Sequence, residues 1–335
     1  MQLAVLNHRE VRELLPPAEC IEVMAMALAD LARGQATQPL RHLMRLPRGS
    51  DIFGMMPAQV GGEISSHGIK AVSFFPGNHG TVFDAHQGVV VLFEPEHGCP
   101  VAVLDASEIT AIRTGAASAL ATRLLAREDA TTLGLLGAGV QAESHLAAIT
   151  CVRRIESVLV WGRDAGQAER FAAEQERPGM RVTAVTAARE AVVGSDIVCT
   201  VTAAGEPILK GTWLEPGTHI NAVGACLPTR RELDSEAVQR ARLFTDRMES
   251  LEHEAGDYLI GLREGVFDKS HALGEIGDIL VGRLEGRRAA ADITLFKSLG
   301  IGVEDLAAAW HVYRKAAQQQ IGTWVEFGSA PDATA

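Results

Sequence analysis

The stretch that most constrains the fold runs from residue 132 to 148, T-L-G-L-L-G-A-G-V-Q-A-E-S-H-L-A-A. An apolar run (Leu133, Leu135, Leu136) leads into Gly137, Ala138, Gly139, Val140, Gln141 and Ala142, and a helical pattern through Ala142, Leu146, Ala147 and Ile149 follows at once. Strand, tight glycine turn and helix in that order is the context a G-x-G-x-x-A fingerprint requires. Gly137 allows the turn, Gly139 lets backbone approach a diphosphate, and Ala142 is small enough for the helix to pack close to the strand. The diphosphate then rests on the N–H groups and positive dipole end of the new helix. An ordinary βα turn would use the same glycines. The apolar strand before them and a second strand after them favour dinucleotide binding.

Strands at 132–136, 157–161, 181–184, 197–200, 219–223 and 241–245 alternate with helical segments, the βαβ sign of a parallel, doubly wound sheet. Beyond Asp246 the pattern reads as helical again, at 249–258 and 273–283. The earlier part of the chain differs. A helix at 16–32 carries Ile21, Met24, Ala25, Leu28 and Leu31 on one stripe and closes at Gly34. Strand-like pieces at 40–46, 51–56, 68–75, 87–93 and 100–104 then follow with turn signals between them (Pro47-Arg48-Gly49, Gly61-Gly62, Pro76-Gly77-Asn78, Glu96-His97-Gly98) and no helices, as in an antiparallel sheet or meander. Asp105 opens a long helix with Glu108 placed for a capping box, and Gly115, Ala116, Ala119 and Ala121 give it faces for close packing. A last amphipathic helix covers about 303–320 through Leu306, Ala309, Trp310 and Tyr313, and the small, polar tail 329–335 is expected to be disordered. The fold class predicted is α/β: a Rossmann-type doubly wound parallel sheet domain at 113–302, and an α+β domain built from 1–112 and 303–335.

A chain of 335 residues suits two such domains. Its net charge of -11 argues against nucleic acid or an anionic membrane as partner, since no basic block offsets it. Five scattered cysteines form no C-x-x-C pair, and neither a charged-then-apolar leader nor an apolar run near 18 residues is found. A reduced, cytoplasmic, globular protein is expected. His67, His79, His86 and His97 fall on dispersed turns without an H-x-x-x-H pair, so no metal site is expected. His86 could line a pocket or sit on a surface turn.

Several stretches together resemble the ornithine cyclodeaminase/mu-crystallin family. They are G-I-K at 68–70, H-Q-G at 86–88 leading to L-F-E at 92–94, I-T-A-I-R-T-G-A-A-S at 109–118 and L-G-A-G-V-Q-A at 136–142. E-P-I-L at 206–209, H-I-N-A-V-G-A at 219–225, R-E-L-D at 231–234 and F-K-S-L-G at 296–300 complete a match in order over residues 38–320. The resemblance implies a two-domain homodimer. The first domain would bind substrate and dimerise, the C-terminal helix would return to it, and the second would hold the dinucleotide. Family chemistry moves a hydride between nicotinamide and the α-carbon of a small amino or imino acid: cyclising deamination, amino acid dehydrogenation, or reduction of cyclic or open imino acids. The pattern is closer to the mu-crystallin-like imine reductases. An ornithine-type cyclodeaminase and a non-enzymatic binder remain as alternatives.

An α-imino acid always presents a carboxylate, which a fixed guanidinium grips bidentately. Arg41, Lys70 and Arg113 sit where the family places its carboxylate-binding cations. Arg41 lies in a basic run with His42, Arg45 and Arg48 that could equally be a solvated face. Lys70 is flanked by Ile69, Ala71 and Val72, where a buried charge needs a partner. Arg113 is the cation of an otherwise uncharged run at 109–120, and a structural salt bridge to the other domain is its competing role. Basic residues around Arg45, Arg48 and His79 could admit a second carboxylate, as in iminosuccinate. The cyclodeaminase pattern has an aspartate two residues after its N-A-V-G glycine; here Cys226 stands there. A thiol titrating near 8.5 is a poor substitute for that carboxylate, so Cys226 reads as a bystander and Lys70 or a bound water as the proton source. The resemblance counts Thr114, Thr200, Thr202, Val223 and Gly224, with Gly137, Gly139, Val140, Gln141 and Ala142, among the cofactor-binding positions, and closes Ser298 and Gly300 over the nicotinamide. Cofactor choice falls to V-W-G-R-D at 160–164. Gly162 lacks the acid expected for an adenosine ribose, and Arg163 could meet a 2′-phosphate. Asp164 weighs against a phosphate or could itself reach the ribose hydroxyls. NAD and NADP both stay open, with a lean to NADP.

Overall fold

The structure, a computed structural model, describes residues 2–47, 51–62, 65–78 and 81–328. Arg48, His79 and the tail at 329–335 lie outside the described residues. In chain order the first elements are β1 (Gln2–Leu6), α1 (His8–Leu14), α2 (Pro17–Ala32), β2 (His42–Arg45), β3 (Ile52–Val60), β4 (Ser66–Phe74), β5 (His86–Phe93), β6 (Pro100–Asp105) and α3 (Ala106–Leu125). Next come β7 (Thr132–Leu136), α4 (Val140–Ile149), β8 (Ser157–Trp161), α5 (Ala165–Gln175), β9 (Arg181–Ala184), α6 (Ala188–Val192), β10 (Ile197–Thr200) and β11 (His219–Ala222). The chain continues through α7 (Ser235–Arg240), β12 (Arg242–Thr245), α8 (Met248–Glu254), α9 (Gly256–Arg263), β13 (Ala272–Glu275), α10 (Ile276–Leu280), β14 (Thr294–Lys297), α11 (Gly302–Gln319) and β15 (Thr323–Glu326). Two compact units result, Met1–Arg113 with Ile301–Ala335, and Thr114–Gly300.

The first unit is built on a seven-stranded sheet in the order β15-β1-β6-β5-β4-β3-β2. Its β2 to β6 portion is the expected antiparallel meander. Two strands without a sequence signal extend it: β1 lies parallel to β6, and β15 pairs antiparallel with β1. Helix α1, also unexpected, is short but well started. Asn7 accepts the Arg9 and Glu10 N–H groups while Glu10 accepts the Asn7 N–H, a complete capping box. The box expected at Asp105 is only half made. Asp105 accepts the Glu108 N–H, but the Glu108 carboxylate takes the Arg12 guanidinium instead. On α2 the predicted stripe buries Ile21, Met24, Leu28 and Leu31, each contributing roughly 1.5–3 kcal/mol against exposure. Helix α11 packs on α2 and across β3, β4 and β5, which sets its first turn against the middle of β4.

The second unit is an eight-stranded sheet ordered β13-β12-β14-β11-β10-β7-β8-β9, with every pairing parallel. Strands β10, β11 and β14 are buried at all four positions, the pattern of strands covered on both faces. Six strands fall where the alternation predicts them. The expected helix at 273–283 does not form as such: Leu273 is in β13, and the helix shrinks to α10. Strand β14, unmarked in the sequence, fills the gap between β12 and β11. The small residues of α3 are used for close approach: a Cβ on Gly115 would lie 2.6 Å from the Ser144 carbonyl oxygen on α4. From β7 the chain winds outward through β8 and β9, then returns to β10 on the other side. The switch point between β7 and β10 is where such sheets bind ligands, at the carboxyl ends of the strands.

Candidate functional site

In the second unit the loops leaving β8, β7, β10, β11 and β14 emerge from the carboxyl ends of five consecutive strands. They carry Arg163 and Asp164, Gly137 to Gly139, Thr202, Val223 and Gly224, and Ser298 to Gly300. Gly137 has φ +127°, and a Cβ there would lie 2.8 Å from the Val201 carbonyl oxygen, so the turn excludes other residues. Gly139 is the N-cap of α4, with no side-chain cap on the helix start, and a Cβ there would meet nothing within 4 Å. An open cradle over uncapped N–H groups is what a dinucleotide diphosphate fits. Val140 is exposed and Ala142 buried, while the Gln141 Oε1 is buried without a hydrogen-bond partner. Arg163 and Asp164 are exposed; Asp164 is the N-cap of α5, accepting the Gln167 N–H at 3.1 Å. Thr114 is buried on α3.

A carboxylate that sequence reading did not single out shapes these loops. Glu232, fully buried, accepts the Thr200 hydroxyl (2.8 Å) and Gly224 N–H (2.7 Å) on one oxygen. Its other oxygen accepts the Thr202 N–H and hydroxyl, both at 2.7 Å. The Thr200 hydroxyl is therefore turned into the protein. Gly224 must be glycine, since a Cβ would lie 2.0 Å from the Thr202 carbonyl oxygen. Asp257 in turn accepts the Glu232 and Leu233 N–H groups and pairs with Lys297 at 2.9 Å. Burial and Asp257 raise the Glu232 pKa. Burial opposes the Lys297 charge, yet Asp257, Cys226 and Glu232 outweigh it and raise its pKa. Asp246 accepts the Leu299 and Gly300 N–H groups at 2.7 Å each, fixing the turn after β14, where Gly300 has φ +68°. The Ser298 hydroxyl on that turn is buried without a partner. Cys226, half-buried, donates its S–H toward the Val223 (3.3 Å) and Ser298 (3.8 Å) carbonyl oxygens.

The first unit gathers the predicted cations around carboxylates that sequence reading missed. Lys70 on β4 and Arg113 on α3 are both buried, and Asp305 in the first turn of α11 lies between them. Asp305 Oδ2 is 2.7 Å from Lys70 Nζ, and Oδ1 accepts Arg113 Nε at 2.8 Å. Glu304 accepts Arg113 Nη1 at 2.8 Å, and Lys70 donates to the Thr110 hydroxyl at 3.2 Å. The salt bridge weighed for Arg113 thus exists, with partners in its own unit. Arg41, half-buried just ahead of β2, is near enough to act on Lys70. Burial brings the Lys70 pKa down to about 8; Asp305 opposes this, while Arg113 and Arg41 add to it. Burial works against the Asp305 carboxylate too, but Arg113 and Lys70 overcome it and hold its pKa low. Among the described residues, no three His, Cys, Asp or Glu side chains gather as metal ligands, and no helix is long and apolar enough to cross a membrane.

The comparisons with known proteins agree with one another. The ketimine reductase mu-crystallin of Mus musculus is 39% identical over 303 residues, 90% of this chain and 91% of that protein. A Delta(1)-pyrroline-2-carboxylate reductase of Bacillus cereus is 34% identical over 327 residues, 97% and 100% of the two chains. The structure of the Thermococcus litoralis Delta(1)-pyrroline-2-carboxylate reductase, in complex with NADH and L-proline, superposes with a TM-score of 0.93 at 37% identity, covering 96% of this chain and 99% of that one. The family model described as ornithine cyclodeaminase/mu-crystallin family matches residues 1–320, and the chain belongs to that family.

Proposed function

We propose that this chain reduces small α-imino acids with NAD(P)H, cyclic imines of the pyrroline-2-carboxylate type first among them. It is an oxidoreductase of CH–NH groups. The observation that carries the substrate reading is the Lys70–Arg113 pair, buried and fixed by Asp305 beside Arg41: cations held without flexibility suit an α-carboxylate. The glycine cradle at β7, the loops tied by Glu232 and the Asp246-held turn form the cofactor site. A nicotinamide dinucleotide held there would have its diphosphate on the N–H groups at Gly139 and would supply the hydride for the imine carbon. Lys70 gives its proton to the imine nitrogen, leaving a neutral amine that solvent reprotonates. Cys226, whose thiol points to two carbonyl oxygens, offers no carboxylate for an amine-expelling step, which favours the reductase over the cyclodeaminase.

NADPH is the preferred cofactor in this reading. Asp164 already caps α5, which leaves the exposed Arg163 to meet a 2′-phosphate. We further propose a cytoplasmic homodimer formed through the first unit, where Leu43, Met44, Val82, Phe83 and Val89 are exposed; the five cysteines are free thiols, in keeping with a reducing compartment.

The test is a substrate panel of cyclic imines, keto acids with ammonia, and ornithine, each with NADH and NADPH. Oxidation of NADPH by cyclic imines is expected. Ammonia release from ornithine without net absorbance change would make the chain a lyase. Reduction consumes the proton of charged Lys70, so the rate is expected to fall as pH rises through about 8.

A further inference from the structure

Lys70 and Arg113 end on one carboxylate, one on each of its oxygens. Asp305 Oδ1 holds Arg113 Nε and Oδ2 holds Lys70 Nζ, at 2.8 and 2.7 Å, with all three side chains 4% exposed or less. Its neighbour Glu304 also takes Arg113, so the charges of the cluster are arranged unequally: Asp305 is the bridge, Glu304 a brace. Two cations held this close repel one another, and in a buried site that repulsion is weakly screened. We propose that Asp305 is a positioning residue for the carboxylate-binding cations: it sets their spacing and keeps Lys70 protonated for transfer. The proposal rests on the imine-reductase reading of the site.

The groups around Lys70 bear this out element by element. Helix α11 presents Asp305 and Glu304; α3 presents Arg113 and Thr110; the segment before β2 presents Arg41. Cys20 of α2, its thiol pushed far up by burial, lies close to Arg113 and Glu304. The strands beside β4 place Met56 and Val90 across from Lys70, neither of them titratable. Asp305 is thus the anion that counters burial, Arg113 and Arg41 at the Lys70 amine. Removing its charge must lower the Lys70 pKa further and leave the amine neutral where the reaction needs an acid. A carboxylate that served packing alone would cost stability when neutralised but would leave the alkaline limb of imine reduction where it was.

Lysine occurs five times, at 70, 210, 269, 297 and 315, so carbon-13 labelling of the lysine Cε gives a spectrum simple enough to titrate. Lys70→Arg identifies the Lys70 signal. In Asp305→Asn the Lys70 midpoint is expected to fall by about one to three pH units, and the alkaline limb of imine reduction to move down with it. Glu304→Gln keeps the bridge and should move both by less than half as much. A folded Asp305→Asn protein with an unmoved Lys70 midpoint would overturn the proposal, and so would equal shifts in the two variants. Should Asp305→Asn not fold, labelling the Asp305 Cγ in the unaltered protein decides: its shift must inflect at the Lys70 midpoint, and a Lys70 titration unseen by Asp305 would refute the bridge. A Lys70 shift as expected, in a protein that reduces no imine, would uphold the bridge and reject the reductase reading.

Discussion

Lys70 and Lys297 are both fully buried in strands, and their pKa values move in opposite directions. At Lys70, burial together with Arg113 and Arg41 overcomes Asp305 and brings the pKa down to about 8. At Lys297, Asp257, Cys226 and Glu232 overcome burial and push it up. The difference lies in what else each cluster holds. Around Lys70 there are further cations, an excess of positive charge that a substrate anion can relieve. Around Lys297 there are carboxylates that already accept backbone N–H and threonine hydroxyl groups, and the lysine pairs with Asp257. One cluster keeps a further cation, Arg41, near its lysine; the other ties loops together through Glu232 and Asp257. A buried lysine therefore says nothing about function until its neighbours are counted.

The largest effect expected from breaking this contrast is at Arg113. Arg113→Ala would take the guanidinium from Glu304 and leave Asp305 with Lys70 alone of its two cations, a loss on the order of 3–5 kcal/mol in stability, together with substrate binding. Arg113→Lys restores the charge without the bidentate geometry, so a thermally recovered protein with a strongly raised KM for imine would separate the two roles. If Arg113→Ala melts like the unaltered protein, the cluster is not the buried ion network described.

A smaller and different effect is expected in the second unit. Glu232→Gln replaces an acceptor of four hydrogen bonds by an amide that must turn one N–H toward donors, costing about 1–3 kcal/mol. That loss should appear as weaker NADPH binding, roughly fivefold to a hundredfold in Kd measured by nucleotide fluorescence. The pH limb assigned to Lys70 should not move. A shifted limb with unchanged cofactor affinity would erase the distinction between the clusters.

The sequence carried the two clusters unequally. The glycine cradle was legible because a φ of +127° at Gly137 and open space at Gly139 leave a local signature. Strands β7 to β12 were legible as short apolar runs between turns. Strand β14 was not, since its four residues end in Lys297, a charge in the middle of a sheet that its pairing with Asp257 makes tolerable. Strands β1 and β15 pair across nearly the whole chain, and no local pattern records such a partner. Glu304 and Asp305 read as ordinary acidic residues in the first turn of a helix, where the dipole favours them anyway. Their burial depends on Arg113, 192 residues from Asp305. The cations were found through resemblance, and their counter-ions needed the fold.

The smallest effect is expected at Cys226, and it tests the reaction class. The thiol sits beside the Lys297 cluster, and its S–H points to the Val223 and Ser298 carbonyl oxygens. Those are weak bonds from a weak donor, so Cys226→Ala should cost about 1 kcal/mol of stability or less and leave the rate of imine reduction within about threefold, a barrier change near 0.6 kcal/mol. Installing the missing carboxylate with Cys226→Asp is the sharper comparison. It would put a third acid next to Glu232 and Asp257, where like charges raise one another's pKa, so the protein should bind NADPH less well and still release no ammonia from ornithine. Steady-state rates and an ammonia assay on the two variants suffice. A Cys226→Ala protein that folds and binds cofactor, yet is thousands-fold slower, would make the thiol part of the chemistry and remove Lys70 as the proton donor.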